Sequence, residues 1–278
     1  MRVATEYIQE QVKQALAEDI GPGDVTAQLL PAEQQATATV MAREGGVLCG
    51  TQWFDEVFHQ LDTHIQIHWQ VEDADNIEAD QTLCTLSGNT RALLSGERVA
   101  LNFLQTLSGT ATLTSKYVNA MGDVETRLLD TRKTLPGLRL AQKYAVRCGG
   151  GDNHRIGLYD MILIKENHIA SQGSVTQAMQ AALQQAAGKM EIEIEVETLQ
   201  QLEEALVAGA TRVLLDNFSI ESLRQAVALT DGRARLEASG NITLENIRAF
   251  AMTGVDYIST GAITKHVHAL DLSMRIHV

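Results

Sequence analysis

The stretch EIEIEVETLQQLEEALVAGATRVLLDNF runs from Glu191 to Phe218. Its first part, "EIEIEV" (191–196), alternates acid with β-branched residue, and a period of two belongs to a strand. "TLQQLEEALVAG" (198–209) then reads as helical, and "RVLLD" (212–216) is a short apolar run of strand length. Strand, helix, strand is one βα repeat, and the pattern continues outward on both sides. Short apolar runs recur at "TRLLD" (126–130), "MILIK" (161–165), "ARLEAS" (234–239) and "YISTG" (257–261), with another helical segment at "SVTQAMQAALQQAAG" (174–188). The later strand ends, at 195, 216, 239 and 260, fall 21, 23 and 21 residues apart. Repeated βα units predict a parallel sheet or barrel.

Before about residue 122 the pattern differs. Residues 4–18 show helical periodicity, and "GPGDVTAQLLP" (21–31) is a turn-rich connection. "ATATVMAREGGVLCG" (36–50) alternates like strands around a Gly45-Gly46 turn, and "HIQIHWQV" (64–71) alternates again. "SGERVALNFLQTLSGTATLTSKYVNAM" (95–121) reads as a long helix, with Ser95 as its N-cap and Gly109 as a candidate break. This half is mixed α/β, and no Pro, Gly or Ser-rich linker separates it from the repeats.

The strand ends carry the chemistry, because the active site of a (β/α) barrel sits where they converge. The first ends in Asp130-Thr131-Arg132-Lys133 and the second in Lys165. Glu195 and Glu197 follow, then Asp216-Asn217, Ser239-Gly240-Asn241 and Thr260-Gly261. Between Arg127 and His168 stand eight of the 22 Lys and Arg residues against four acids. Arg132, Lys133, Arg155 and Lys165 belong to different elements and can meet at one mouth. Two like charges about 4 Å apart, at an effective dielectric of about 20, repel by roughly 4 kcal/mol. Such a cluster demands an anion or a set of acids, and arginine grips carboxylate or phosphate bidentately. His154, beside Arg155 in a Gly-rich loop, reads as a further anion contact. Gly149-Gly150-Gly151 gives the backbone room to approach a ligand or another segment. Arg139, Lys143 and Arg147 share one helix face at four-residue steps and are expected to be solvated.

Glu191, Glu193, Glu195 and Glu197 share one strand face. The first two are expected to pair with interior cations. Glu195 with Asp216 is expected to hold a metal or a ribose, and two carboxylates beside a phosphate site suit Mg²⁺. The late loops Ser239-Gly240-Asn241 and Thr260-Gly261-Ala262 are expected to hold a phosphate with backbone N–H groups. A phosphate grip, a divalent cation and a cationic nest describe an enzyme that joins a phosphorylated sugar to an acidic small molecule.

The bulk composition agrees. A formal net charge of −13 argues against a general nucleic-acid binder and against adhesion to anionic membranes, while a local basic pocket remains compatible with it. Cys49, Cys84 and Cys148 lie far apart without CxxC spacing, so reduced thiols in a cytoplasmic protein are expected and a zinc site is not. The N-terminus lacks the apolar core of a signal peptide, and no apolar run approaches the roughly 20 residues of a membrane span.

"DTRKTLPGLRLAQKYAVRCGGGDNHRIGLYDMILIKENHI" (130–169) closely resembles the signature of the quinolinate phosphoribosyltransferases. The likeness extends through "SGERVALNFLQTLSGTAT", "EIEIEVE", "VLLDNF", "EASGNIT" and "VDYISTGAITKHVHALDLSMRI", and so covers most of the chain. The resemblance implies an α/β fold with an N-terminal α/β sandwich (1–114), joined by the C-terminal tail (267–278), and an open (β/α) barrel (115–266). It implies a pentosyltransferase of NAD biosynthesis that converts quinolinate and 5-phosphoribosyl-1-pyrophosphate to nicotinate mononucleotide, CO₂ and pyrophosphate, with Mg²⁺. By the same resemblance Arg132, His154, Arg155 and Lys165 would line the quinolinate pocket. Lys133, Glu195 and Asp216 would do the catalytic work on phosphoribosyl pyrophosphate, the two acids holding Mg²⁺ directly or through water. Ser239, Gly240 and Gly261 would hold the 5-phosphate, with Asn241 and Thr260 beside them. The unit would be a homodimer, with Arg98 of "SGERVALN" crossing to the partner's pocket. Three alternatives stand beside this: the same fold using nicotinate, a Schiff-base lyase built on Lys165, and a non-catalytic anion-binding protein.

Overall fold

The structure, a computed structural model, describes residues 3–277. The chain forms two compact units. The first comprises the chain up to Ser115, Leu140–Gly150 and the stretch from Val267; the second comprises Lys116–Arg139 and Gly151–His266. Residues 140–150 therefore pack with the first unit rather than with the rest of the 115–266 stretch.

The first unit opens with α1 (Thr5–Ile20), β1 (Gln35–Ala42), β2 (Gly46–Val47), α2 (Thr51–Leu61), β3 (Gln66–Trp69), β4 (Asn76–Ile77), β5 (Thr82–Asn89) and, up to Ser115, α3 (Thr90–Met121). On α1 the buried residues are Ile8, Val12 and Leu16, four apart, which is one helix face. On β1 alternate residues Ala36, Ala38, Val40 and Ala42 are buried, as a strand with one covered face requires. Trp53, Phe54 and Phe58 of α2 lie fully inside the core, and Phe54 meets Phe58 edge-on at 5.1 Å between ring centres.

Two expectations about α3 fail. The helix begins at Thr90, not Ser95, and the Ser95 hydroxyl instead donates to Asp24 Oδ2 at 2.8 Å. The helix also runs unbroken through Gly109. A Cβ there would stand 2.0 Å from the carbonyl oxygen of His268, so the glycine serves to let the returning tail lie against the helix. Glycine costs a helix interior about 1 kcal/mol relative to alanine, too little to break one packed along most of its length.

The second unit holds β6 (Arg127–Leu129). The chain then passes through α4 (Arg139–Cys148), packed in the first unit, before β7 (Ile162–Ile164), α5 (Glu166–Gln172), α6 (Val175–Ala186), β8 (Ile192–Val196) and α7 (Leu199–Val207). After these come β9 (Arg212–Asp216), α8 (Ile220–Thr230), β10 (Arg235–Ser239), α9 (Ile247–Ala251), β11 (Tyr257–Ser259) and α10 (Ala262–Lys265), and β12 (Leu272–His277) ends the chain in the first unit. There β12 pairs antiparallel with β1, in a sheet ordered β12-β1-β5-β3.

Among the described residues the second unit's sheet has six parallel strands in the order β6-β11-β10-β9-β8-β7. This is the cyclic order of a barrel left open between β7 and β6. The backbone of Asp152 bridges the outer side of β6 at Leu129. Register aligns Asp216, Ser239, Ser259 and Leu129 across four neighbouring strands, so their C-terminal ends form one rim. Val213, Leu214 and Leu215 are all buried, as strands covered on both faces must be. Ser174, Thr198 and Ser219 cap α6, α7 and α8, each accepting a backbone N–H from three residues on.

The face shared by Arg139, Lys143 and Arg147, expected to be solvated, is so only at Arg147. Lys143 is 0% exposed and Arg139 is half-buried, while Arg147 is exposed. Ala141, Ala145 and Val146 of the same helix are buried as well, so α4 is covered on more than one side. Spacing puts three cations on one face, but only the surroundings decide whether that face meets water. Gly109→Ala is expected to destabilise the protein by about 1–3 kcal/mol through the clash with the His268 carbonyl, read as a lower urea midpoint in equilibrium unfolding.

Candidate active site

The rim of the open barrel encloses a cavity of about 440 Å³. Its lining includes Thr131, Arg132, Lys133, His154, Arg155, Lys165, Glu195, Asp216, Glu237, Ser239 and Ser259, with Leu163 and Leu214 as its apolar floor. Eight of the residues singled out from sequence thus meet in one place, drawn from segments up to 107 residues apart (132 to 239). Gly240, Asn241, Thr260 and Gly261 follow directly on lining residues but do not themselves line the cavity. Arg98 is exposed on α3, in the first unit.

The cations are held differently. Lys165 Nζ sits 2.6 Å from Glu195 Oε2, an ion pair across β7 and β8. Arg155 donates from Nη1 to the Met161 carbonyl at 3.2 Å. Burial, and then the charge of Arg132, push the Arg155 guanidinium below its usual range. Arg132 Nε is buried and has no hydrogen-bond partner. A buried unpaired donor on a cation costs more than a neutral one, and a bound anion is the partner that would remove the cost. Lys133 is exposed, and its stem passes over Gly261, where a Cβ would stand 2.7 Å from Lys133 Cδ.

The acids face these cations. Burial, and then the charge of Glu195, push the Asp216 carboxyl above its usual range, while Lys165 and Lys133 pull it down. Asn217 donates to Asp216 Oδ2 at 2.8 Å and, from its backbone, to the Ser239 carbonyl at 2.9 Å. Asn217, Gly240 and Asn241 all have positive φ, at 57°, 101° and 53°. A Cβ on Gly240 would lie 2.2 Å from Asn217 Oδ1, so the two loops interlock only with glycine there. Burial and the Glu195 charge make it costly to keep Asp216 ionised, a cost that a hard divalent cation would offset, and Glu195 with Asp216 fits Mg²⁺ on that ground.

Beneath the rim lies a buried charge network. Arg212 donates from Nε to Glu193 Oε1 and from Nη2 to Glu237 Oε2, both at 2.9 Å, and its Nη1 lies 3.6 Å from Glu191. Glu191 and Glu193 therefore pair with an interior cation, as their alternation suggested. His154 contributes the other contact, Nε2 to Glu193 Oε2 at 2.8 Å, and its Nδ1 accepts the Arg155 backbone N–H at 2.7 Å. Both ring nitrogens thus have protein partners. The ring holds the Arg155 backbone while His154 itself lines the cavity. Glu237 is an acidic lining residue that sequence reasoning passed over. Its signal was an acid at the centre of the apolar run "ARLEAS", a position that must face the barrel interior.

Burial, and then the charge of Glu193, push Glu237 from 4.5 up to about 7. Between those values the unfolded chain has released the proton and the native state still binds it, so stability falls as pH rises through the window. Glu237→Gln keeps the acceptor for Arg212 and removes the titration. Its stability is expected to gain on the wild type by up to roughly 3 kcal/mol between pH 4.5 and 7.5, read by urea unfolding at stepped pH.

Comparison with known proteins follows the same outline. A family profile described as the quinolinate phosphoribosyl transferase N-terminal domain matches residues 24–108, and one described as the C-terminal domain matches residues 110–275. A Bacillus subtilis (strain 168) protein named probable nicotinate-nucleotide pyrophosphorylase (carboxylating) is 46% identical over 259 residues, 93% of this chain and 90% of its own. The chloroplastic protein of that name from Arabidopsis thaliana is 39% identical over 95% of this chain and 81% of its own. The structure of the nicotinate-nucleotide pyrophosphorylase from Francisella tularensis superposes with a TM-score of 0.97 at 49% identity, covering 99% of this chain and 98% of that one. Both domain profiles stand in order along one chain whose relatives match over nearly their whole length, and the protein belongs to the quinolinate phosphoribosyltransferase family.

Proposed function

We infer that this enzyme transfers the phosphoribosyl group of 5-phosphoribosyl-1-pyrophosphate to quinolinate, with decarboxylation, yielding nicotinate mononucleotide, CO₂ and pyrophosphate. The observation that carries the site assignment is the cavity that gathers Arg132, Arg155, Lys133 and Lys165 against Glu195 and Asp216, with a buried guanidinium donor of Arg132 left without a partner. Quinolinate is a dianion with adjacent carboxylates, and Arg132, Arg155 and Lys165 supply the donors it needs. His154 holds the Arg155 backbone in place from behind. Lys133 reaches the phosphoribosyl pyrophosphate, and the loops at Ser239-Gly240-Asn241 and Thr260-Gly261 cradle its 5-phosphate.

Glu195 and Asp216 would hold Mg²⁺, which when bound neutralises charge on the departing pyrophosphate. As pyrophosphate leaves, positive charge develops at the ribose C1 carbon, and an acid near the ribose would stabilise it. Arg132 and Arg155 orient the pyridine nitrogen toward that carbon, an effect of positioning. Once attached, the ring nitrogen is positive and accepts the electron pair left when the neighbouring carboxylate departs as CO₂. The step needs no protein base. An ion-paired ammonium has no free lone pair for attack on a carbonyl, and the 2.6 Å contact of Lys165 with Glu195 therefore disfavours a Schiff-base lyase.

The active unit is proposed to be a homodimer in the cytoplasm, with Arg98 entering the partner's site. Among the described residues no helix is long and apolar enough to cross a membrane.

Purified enzyme with Mg²⁺, phosphoribosyl pyrophosphate and quinolinate is expected to release CO₂ and nicotinate mononucleotide in equal amounts; turnover with nicotinate alone would overturn the reading. Arg132→Ala is expected to raise the KM for quinolinate by on the order of 10- to 100-fold while the circular dichroism spectrum is unchanged. Arg98→Ala and Lys133→Ala subunits, each inactive alone, are expected to regain about a quarter of wild-type activity when mixed, since half of the dimers then carry one intact site.

A further inference from the structure

Cys49 and Cys148 are 99 positions apart in the sequence, yet the first unit brings them together. Their sulfurs and a carboxylate oxygen of Asp73 all lie within 4.8 Å of one another. Cys49 is fully buried and its backbone is clamped by Ser108, whose Oγ accepts the Cys49 N–H at 2.9 Å and donates to the Cys49 carbonyl at 3.2 Å. Cys148 ends α4 and is half-buried. Asp73 is already committed. Its Oδ1 accepts the N–H groups of Gly50 and Thr51 at 3.0 and 3.1 Å, and its Oδ2 accepts the Tyr144 hydroxyl at 2.8 Å. A carboxylate so engaged is a poor third ligand for a metal, which leaves the two sulfurs to each other.

We propose that Cys49 and Cys148 form a peroxide-sensitive dithiol that closes to an intramolecular disulfide. The two thiols are unequal in a way that suits the chemistry. A hydrogen bond from the Cys49 thiol lowers Cys148, whereas burial, and then the same hydrogen bond, raise Cys49. The half-exposed Cys148 is therefore the nucleophile and Cys49 the resolving thiol. The Cys148 thiolate attacks one oxygen of hydrogen peroxide, the O–O bond breaks, and the hydroxide released takes a proton to become water. Cys49 then attacks the sulfenic sulfur, its thiol proton leaves with the sulfenic oxygen as a second water, and the S–S bond forms. Two thiols are oxidised and one peroxide is reduced to two waters. Intracellular disulfides, where found, are mostly of this redox-responsive kind. The bond would form at the start of the segment that runs on through Gly149 to His154 and Arg155.

The test treats intact, reduced protein with hydrogen peroxide, blocks remaining thiols, and reads mass and peptide map without reductant. Loss of two hydrogen masses, a Cys49–Cys148 cross-linked peptide and reversal by dithiothreitol are expected. Cys148→Ser, at a half-exposed position, is expected to abolish the mass loss, and Cys84→Ala to preserve it. Oxygen added to Cys148 without a cross-link, or a link through Cys84, overturns the proposal. So does stoichiometric zinc that resists a chelator and protects both thiols, which would make the cluster a metal site.

Discussion

Arg212 is the side chain on which the barrel unit depends. It stands at the start of β9 and binds Glu193 of β8 on one side and Glu237 of β10 on the other. Both carboxylates are 0% exposed. Burying two acids is costly without a cation, and removing one partner from such a group typically costs about 3–5 kcal/mol. Tyr257 of β11 adds its ring face, with the guanidinium carbon 4.9 Å from the ring centre. One arginine thus ties four neighbouring strands together from the inside, in the register that puts Asp216, Ser239 and Ser259 on one rim.

The same network reaches the chemistry. Burial pushes both carboxyls above their usual range despite the shared arginine, and Glu237, raised further by the Glu193 charge to about 7, also lines the cavity. His154 links the network to the rim, through Glu193 below and the Arg155 backbone above. Above this plane the balance of charge reverses. Four cations outnumber Glu195 and Asp216, and Arg132 keeps a buried donor unpaired. A site that is neutralised at its base and cationic at its mouth is arranged to take anions from solvent without collapsing on itself.

Much of this was legible in the residues. The period of βα repeats located the parallel strands to within a residue or two, because a strand covered on both faces has little choice but an apolar run. The strand ends named most of the cavity lining, because in parallel βα repeats those ends share one side. Other readings failed where local signals met tertiary contacts. Ser95 has the chemistry of an N-cap but is spent on Asp24, with the helix already under way. Gly109 resembles a break and is instead a landing place for the backbone of His268.

The order of elements, the side of the sheet that carries the strand-end residues, and the kind of charge found there follow from periodicity and residue type alone. Which polar atoms are already satisfied emerges from the folded structure. It gave His154 protein partners at both ring nitrogens, hid Lys143 in the interior and revealed Glu237 as part of the cavity. It also set Cys49 beside Cys148. The reason is physical: spacing along a chain fixes which face a side chain shares with its neighbours, but burial and hydrogen-bond partners depend on what the rest of the chain lays against that face.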